Sequence, residues 1–312
     1  MKKIIVVALL SLVGLLSACA EDFDNSAIIN VYTRDTESGT REAFFSGIGF
    51  GDAAEDDSLL VSNKTVVSGN SDMIAKLLAD EYSLGYISLS SLAGSGLIGL
   101  SYEGVVASES NVLNNSYLLK RPFNYIQRVS NDYPSTDVEA IVNALIAYMG
   151  TQEGKAIIIE NGGIVELSSS DVRWADISGS YDVCAKDNSG VDIYIGGSTS
   201  VEKIAKALSA DFKGKCGDFN PLHNHSGSSA AYKGTQHAEY KDSAATYLDL
   251  GFTSRAFKSE EVGADRTYGE ICWDAVVAVV NSENILITNI STQQLKNIYD
   301  GSITNWNNII ND

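Results

Sequence analysis

Residues 191–212, VDIYIGGSTSVEKIAKALSADF, constrain the fold more than any other stretch of the chain. An apolar strand runs into two glycines. Val201, Ile204, Ala205, Leu208 and Phe212 then recur at the spacing of one helix face. A strand that passes through a tight turn into a helix with one apolar stripe must lay that helix on its own sheet, which is the repeating unit of an α/β fold. The rest of the sequence repeats the pattern. AIINVYTRD and SLGYISLSSL read as strands, as do ATYLDLGFTSR and ICWDAVVAVVN. TREAFFSGIGF opens a helix, and NSDMIAKLLADEY is helical with Met73, Ile74, Leu77 and Leu78 on one side. Residues 135–163 read as a helical pair that Ser135 or Thr136 caps and Gly162-Gly163 ends, and STQQLKNIYDG is a helix closed by Gly301. Strands alternate with helices throughout, so the expected class is α/β with largely parallel sheets.

At 312 residues and 44% apolar content the chain is long enough for two domains with real cores. Its net charge of −18 argues against broad nucleic-acid binding, which needs a basic surface. An acidic protein can still hold an anion where the site is local and built from directed donors. Residues 168–190 lose periodicity, are polar and Gly/Ser-rich, and read as a linker.

The N-terminus reads MKKIIVVALLSLVGLLSACA. Lys2 and Lys3 precede an apolar run, Ile4 to Leu16, that is too short and wrongly flanked to span a membrane. Residues 1–19 are therefore expected to be a signal peptide, and 20–26 a short polar tether. Loss of the two lysines would take the net charge from −18 to −20. Cys184, Cys216 and Cys272 remain; three cysteines permit at most one internal disulfide, none has metal-ligand spacing, and the pairing stays open.

Three segments share one design. Ser198, Thr199 and Ser200 sit where a strand turns into a helix. So do Ser38, Gly39 and Thr40 in RDTESGTREAFF, and Gly227, Ser228 and Ser229 open a third helical stretch. A helix start offers unpaired N–H groups and partial positive charge, hydroxyls add donors, and glycine lets the main chain approach a ligand. Arg34 adds a fork of donors that matches two oxygens of a tetrahedral oxyanion. Any one of these segments alone could be an ordinary N-cap; three with an arginine point to an anion site.

The strings GGSTSVEKIAKAL, HSGSSAAYKG, LDLGFTSRAF, NIYDGSITNW and R-x3-SGTR resemble the phosphate-binding proteins of bacterial ABC importers, of the periplasmic-binding-protein type II fold, over nearly all of residues 20–312. The ending Leu16-Ser17-Ala18-Cys19 likewise resembles a lipobox, which implies a diacylglycerol anchor on Cys19; an ordinary signal peptide with an incidental cysteine is the alternative. The resemblance implies an extracytoplasmic, membrane-anchored lipoprotein that binds inorganic phosphate and hands it to an ABC permease, with no enzymatic activity, cofactor or metal. In the family's usual order the segments now at 27–167 come last. The chain thus resembles a circular permutant with 168–190 joining the former ends, or else a fusion whose halves complete each other between chains. Two lobes are implied, 26–117 plus 279–312 and 118–278, with crossovers near 117–121 and 277–281. The implied ligand contacts are Arg34, Ser38, Gly39, Thr40, Thr199, Ser200, Ser228 and Ser254. At the position of Ser254 some members carry an aspartate that accepts a proton from hydrogen phosphate and excludes sulfate; Ser254-Arg255 departs from that pattern. Another tetrahedral oxyanion, a sensor, or a surface lipoprotein without transport remain as alternatives.

His223, His225 and His237 read as surface residues of a polar loop, although His-x-His can bind zinc. Trp174, Trp273 and Trp306 read as packing residues. Neither Ser38 nor Thr40 has a histidine or aspartate patterned to activate it, which argues against a phosphatase or transferase.

Overall fold

A computed structural model describes residues 23–310. The segment 1–22, with Lys2, Lys3 and Cys19, lies outside the described residues. In chain order the strands are β1 Asn30–Arg34, β2 Thr65–Val67, β3 Ser83–Ser88, β4 Ile98–Gly99, β5 Ser101–Tyr102 and β6 Lys120–Gln127. They continue with β7 Asp192–Gly197, β8 Asn220–Asn224, β9 Leu250–Thr253, β10 Tyr268–Val280 and β11 Asn289–Ile290. The helices are α1 Gly39–Gly47, α2 Asn70–Leu78, α3 Glu109–Leu113, α4 Thr136–Met149 and α5 Gln152–Glu160. They end with α6 Trp174–Ile177, α7 Glu202–Lys213, α8 Ser228–Thr235, α9 Thr292–Tyr299 and α10 Asn307–Ile310.

One curled sheet runs in the order β2-β1-β3-β10-β6-β9-β7-β8, with β4 on β10. Its flanks are parallel: β1 with β2 and β3, and β7 with β8 and β9. Its middle is antiparallel, because β10 pairs with β3 and β6, and β6 with β9. The expectation of largely parallel sheets therefore holds at the flanks and fails at the centre. There two long strands carry the chain from one lobe to the other. Strand β10 pairs with β6 through Ala275 and with β3 from Val276, so its change of partner falls upstream of 277–281.

Two main cores lie on either side of that change. One gathers Ile29, Phe44, Tyr86, Leu119, Val276 and Trp306, from both ends of the chain. The other gathers Phe123, Leu145, Ile193, Leu208, Phe252 and Cys272, from its middle. A smaller cluster under α2 uses Met73 and Leu77, whereas Leu78 faces solvent and Ile74 is half-buried. The stripe of α7 is buried as its spacing requires. Gly162 and Gly301 take positive φ just past α5 and α9, where a side chain would be strained.

The two ends of the described residues meet. Ile29 N donates to Thr304 O at 2.8 Å, Trp306 N to Ala27 O at 3.2 Å, and Asn305 Nδ2 to Ser26 O at 2.7 Å. Residues 168–190 do not behave as a free linker. Trp174 is wedged against Tyr148, Tyr181 and Phe212, its backbone N–H donates to Glu153 Oε2, and Cys184 is disulfide-bonded to Cys216. Point anchors hold this strap, which is why it carries no periodic signal. Cys272 is free and buried. His223 lies in β8 rather than in a loop and is stacked on His225, a departure from the surface reading. Trp306 is fully buried; Trp273 is partly exposed under the Lys120 ammonium.

Candidate anion site

The site forms where β1, α8 and the turns after β7 and β9 converge on the crossover strands. Strand β1 ends at Arg34. Ser38 caps α1 by accepting from Arg41 N at 3.4 Å, which aims the first turn of α1 at the other lobe. Arg41 holds this corner rigid: it donates to Arg34 O at 2.8 Å and pairs with Asp57 at 2.7 Å. A side chain on Gly39 would collide with Ser228 Oγ and Ser254 Oγ, so the approach of the two lobes requires glycine there.

Arg34 is 1% exposed. Its Nη2 donates to Ser68 O at 2.8 Å and, across the lobes, to Thr199 Oγ1 at 3.3 Å. Its Nε and Nη1 are buried and have no hydrogen-bond partner among the described residues. Burial pulls its pKa down from the ordinary arginine value, because the charged form loses its hydration. A guanidinium stays protonated even so, and this one holds unmatched donors inside the protein.

The remaining expected residues gather around it. Thr40 Oγ1 and Ser200 Oγ are 3.0 Å apart across the lobes. Ser254 Oγ lies 3.2 Å from Ser228 Oγ, and Ser254 N donates to Ser228 Oγ at 3.0 Å. Thr40, Ser228 and Ser254 are essentially sealed from solvent, and a cleft of about 890 Å³ opens beside them, bordered by Asn70, Thr199 and Ser200. Ser38 stands at the edge of the group as the α1 cap. The structure thus brings the eight expected positions to one place.

It also adds residues that the sequence did not single out. Arg121, 2% exposed on β6, donates from Nη1 to Thr40 Oγ1 at 2.9 Å and Ser254 Oγ at 3.2 Å, and from Nη2 to Ser200 Oγ at 3.1 Å. Asp274 on β10 holds it, accepting on Oδ2 from Nε at 3.0 Å and Nη2 at 2.7 Å. Ser198 Oγ donates to Ser254 Oγ at 2.8 Å, and Asn70 Nδ2 to Ser200 Oγ at 3.4 Å. A buried arginine inside an apolar strand pattern was the available signal for Arg121; nothing in the spacing of Asn70 or Asp274 marked them. Two guanidinium groups against one carboxylate make the cluster locally cationic in an acidic protein, in a poorly hydrated space where charge acts strongly.

Arg255 turns away from this cluster. It pairs with Glu261 at 2.6 Å and, across the lobes, with Glu42 at 2.8 Å. Lys233–Glu37 and Lys258–Glu55 bridge the same seam at 3.0 and 2.6 Å.

Residues 183–312 match the model of the PBP superfamily domain. Similar proteins include the phosphate-binding protein PstS 2 of Streptococcus pneumoniae, 28% identical over 317 residues with 99% of each chain covered. The protein of the same name from Streptococcus agalactiae is 27% identical over 305 residues, covering 95% of this chain and 94% of its own. Among solved structures, a phosphate-binding protein of a phosphate ABC transporter from Streptococcus pneumoniae superposes with a TM-score of 0.63 at 24% identity. That match covers 91% of this chain and all of the other, and it shows the shared fold. Because the alignments run end to end, the order of segments found here is the order in those relatives too.

Proposed function

We propose that this protein captures inorganic phosphate between its two lobes and delivers it to an ABC importer, as a lipoprotein held at the outer face of the membrane through Cys19. The observation that carries the reading is Arg34: a buried guanidinium with Nε and Nη1 unpartnered among the described residues, ringed by hydroxyls from both lobes. The names of the streptococcal relatives support phosphate as the ligand. Arg34, Ser38, Gly39, Thr40, Thr199, Ser200, Ser228 and Ser254 form the contact set of this reading. The lobes are 26–117 with 279–312 and 118–278, a division supported by the two main cores. The meeting of Ile28 with Asn305 supports a chain order permuted relative to the family's usual one, since permutation requires adjacent termini. The anchor of this reading is the resemblance of Leu16-Ser17-Ala18-Cys19 to a lipobox; no helix of the described residues is long and apolar enough to cross a membrane.

The energetics suffice. Charge-assisted hydrogen bonds contribute about 1.5–3 kcal/mol each, and each helix start about 0.3–1 kcal/mol. After ordering and desolvation costs, several of these reach about −8 to −10 kcal/mol, micromolar or tighter. Because Ser254 stands where some members carry aspartate and others, as here, serine followed by arginine, sulfate, arsenate and molybdate are the ligands to set against phosphate. Titration calorimetry of residues 20–312 with all four anions tests the reading: phosphate is expected to bind at micromolar or lower Kd. Heat-free titrations with every one of the four anions would refute it.

A further inference from the structure

The two buried arginines of the site do opposite jobs. Arg34 leaves Nε and Nη1 without partners. Arg121 leaves nothing: Nε and Nη2 bind Asp274, Nη2 also binds Ser200, and Nη1 binds Thr40 and Ser254. Arg121 has no N–H left for a ligand, and it can act on one only through the hydroxyls.

A hydroxyl has two lone pairs and one proton, so filling both lone pairs decides where the proton goes. Ser200 Oγ accepts from Arg121 Nη2 and from Asn70 Nδ2. The Asn70 amide is fixed in that sense, because its Oδ1 accepts from Ser88 N at 3.3 Å. Ser200 must therefore donate, and Thr40 Oγ1 is its neighbour at 3.0 Å. Thr40 Oγ1 then accepts from both Ser200 and Arg121, and its own proton is left for the ligand. The second lobe repeats the scheme. Ser254 Oγ accepts from Ser198 Oγ and Arg121 Nη1, so it donates toward Ser228 Oγ. Ser228 Oγ also accepts from Ser254 N, and its proton too is left over.

From this hydrogen-bond accounting we infer that Arg121 and Asn70 are positioning residues that force the hydroxyls of the site to donate, so that it selects oxyanion oxygens carrying no proton. The inference rests on the anion-binding reading and goes beyond it, since it assigns the direction of each hydroxyl and names two residues that set it. The chains Arg121–Ser200–Thr40 and Ser198–Ser254–Ser228 end on opposite lobes, so closure aims a donor at the anion from each side, and each chain is polarised along its length.

The test compares phosphate with sulfate at pH 8, where both are dianions and differ by one proton. Asn70→Asp is nearly isosteric, keeps an acceptor for Ser88 N, and replaces the donor to Ser200 by an acceptor. Ser200 then donates to residue 70 and the chain to Thr40 reverses. Added negative charge weakens both dianions alike and cancels in the ratio of their Kd values. By calorimetry on residues 20–312, Asn70→Asp is expected to shift that ratio toward phosphate by about tenfold or more, the value of one charge-assisted hydrogen bond. Arg121→Lys, which keeps the charge and loses the fork, shifts it the same way by less. If either variant fails to fold, judged by its melting transition, the other carries the test. A ratio unchanged within twofold in the folded variants overturns the inference while leaving the functional reading intact. If the unmodified protein binds neither anion, the functional reading itself falls.

Discussion

Replacing Arg34 by alanine is expected to separate function from stability. Its Nε and Nη1 carry three N–H bonds, all buried and unmatched among the described residues, while Nη2 is engaged by Ser68 O and Thr199 Oγ1. The unmatched donors cost the ligand-free fold free energy, as the downward pull on the Arg34 pKa by burial also indicates. In the complex the same donors would meet two oxygens of a dianion. Truncating one partner of a buried charge-assisted pair costs about 2–5 kcal/mol, which is roughly 30-fold to several-thousand-fold in Kd. Arg34→Ala is thus expected to lose phosphate affinity on that scale while the melting temperature without ligand changes little, because two hydrogen bonds are lost and three orphaned donors are removed with them. Arg34→Lys should recover part of the affinity, since an ammonium supplies charge but not the planar fork. The assay is calorimetry paired with thermal melts at zero and millimolar phosphate, where the ligand-dependent rise in Tm follows mass action. Unchanged phosphate affinity in Arg34→Ala would refute the reasoning. So would a large loss of stability without ligand, since the residue would then be structural.

Three further outcomes are expected. Cys19→Ser should release the protein from the membrane fraction of cells, and continued membrane association of that variant would contradict the lipobox reading. Burial holds the pKa of His225 below its ordinary value and that of His223 down to about 4, against 6.5 when unfolded. The unfolded chain therefore takes up protons first as pH falls, and stability should drop between about pH 6.5 and 4; His223→Gln with His225→Gln should flatten that limb in a melting-temperature profile. Reduction of Cys184–Cys216, which closes a loop of sequence separation 32, should cost about 3–4 kcal/mol by chain entropy and move the urea midpoint down without abolishing phosphate binding.

Local chemistry made much of this protein legible from its residues. The stripe of α7, the caps Ser38 and Ser135 and the closing Gly301 depend on neighbours three or four positions away, so periodicity and turn chemistry exposed them. Arg34 and the Ser/Thr/Gly turns were legible for the same reason, since a strand that ends in donors at a helix start is a local motif. What the residues could not reveal is how those turns are joined. Ser200 meets Thr40, Asn70 and Arg121 from positions 160, 130 and 79 residues away, and Arg121 meets Asp274 across 153. The antiparallel centre of the sheet, the anchored strap at 168–190 and the Cys184–Cys216 pair were likewise settled by tertiary structure. Sequence spacing specifies which donors and acceptors a segment can present. The direction in which a hydroxyl points depends on which lone pairs its neighbours fill, and those neighbours are assembled only when the crossover strands bring the two lobes together.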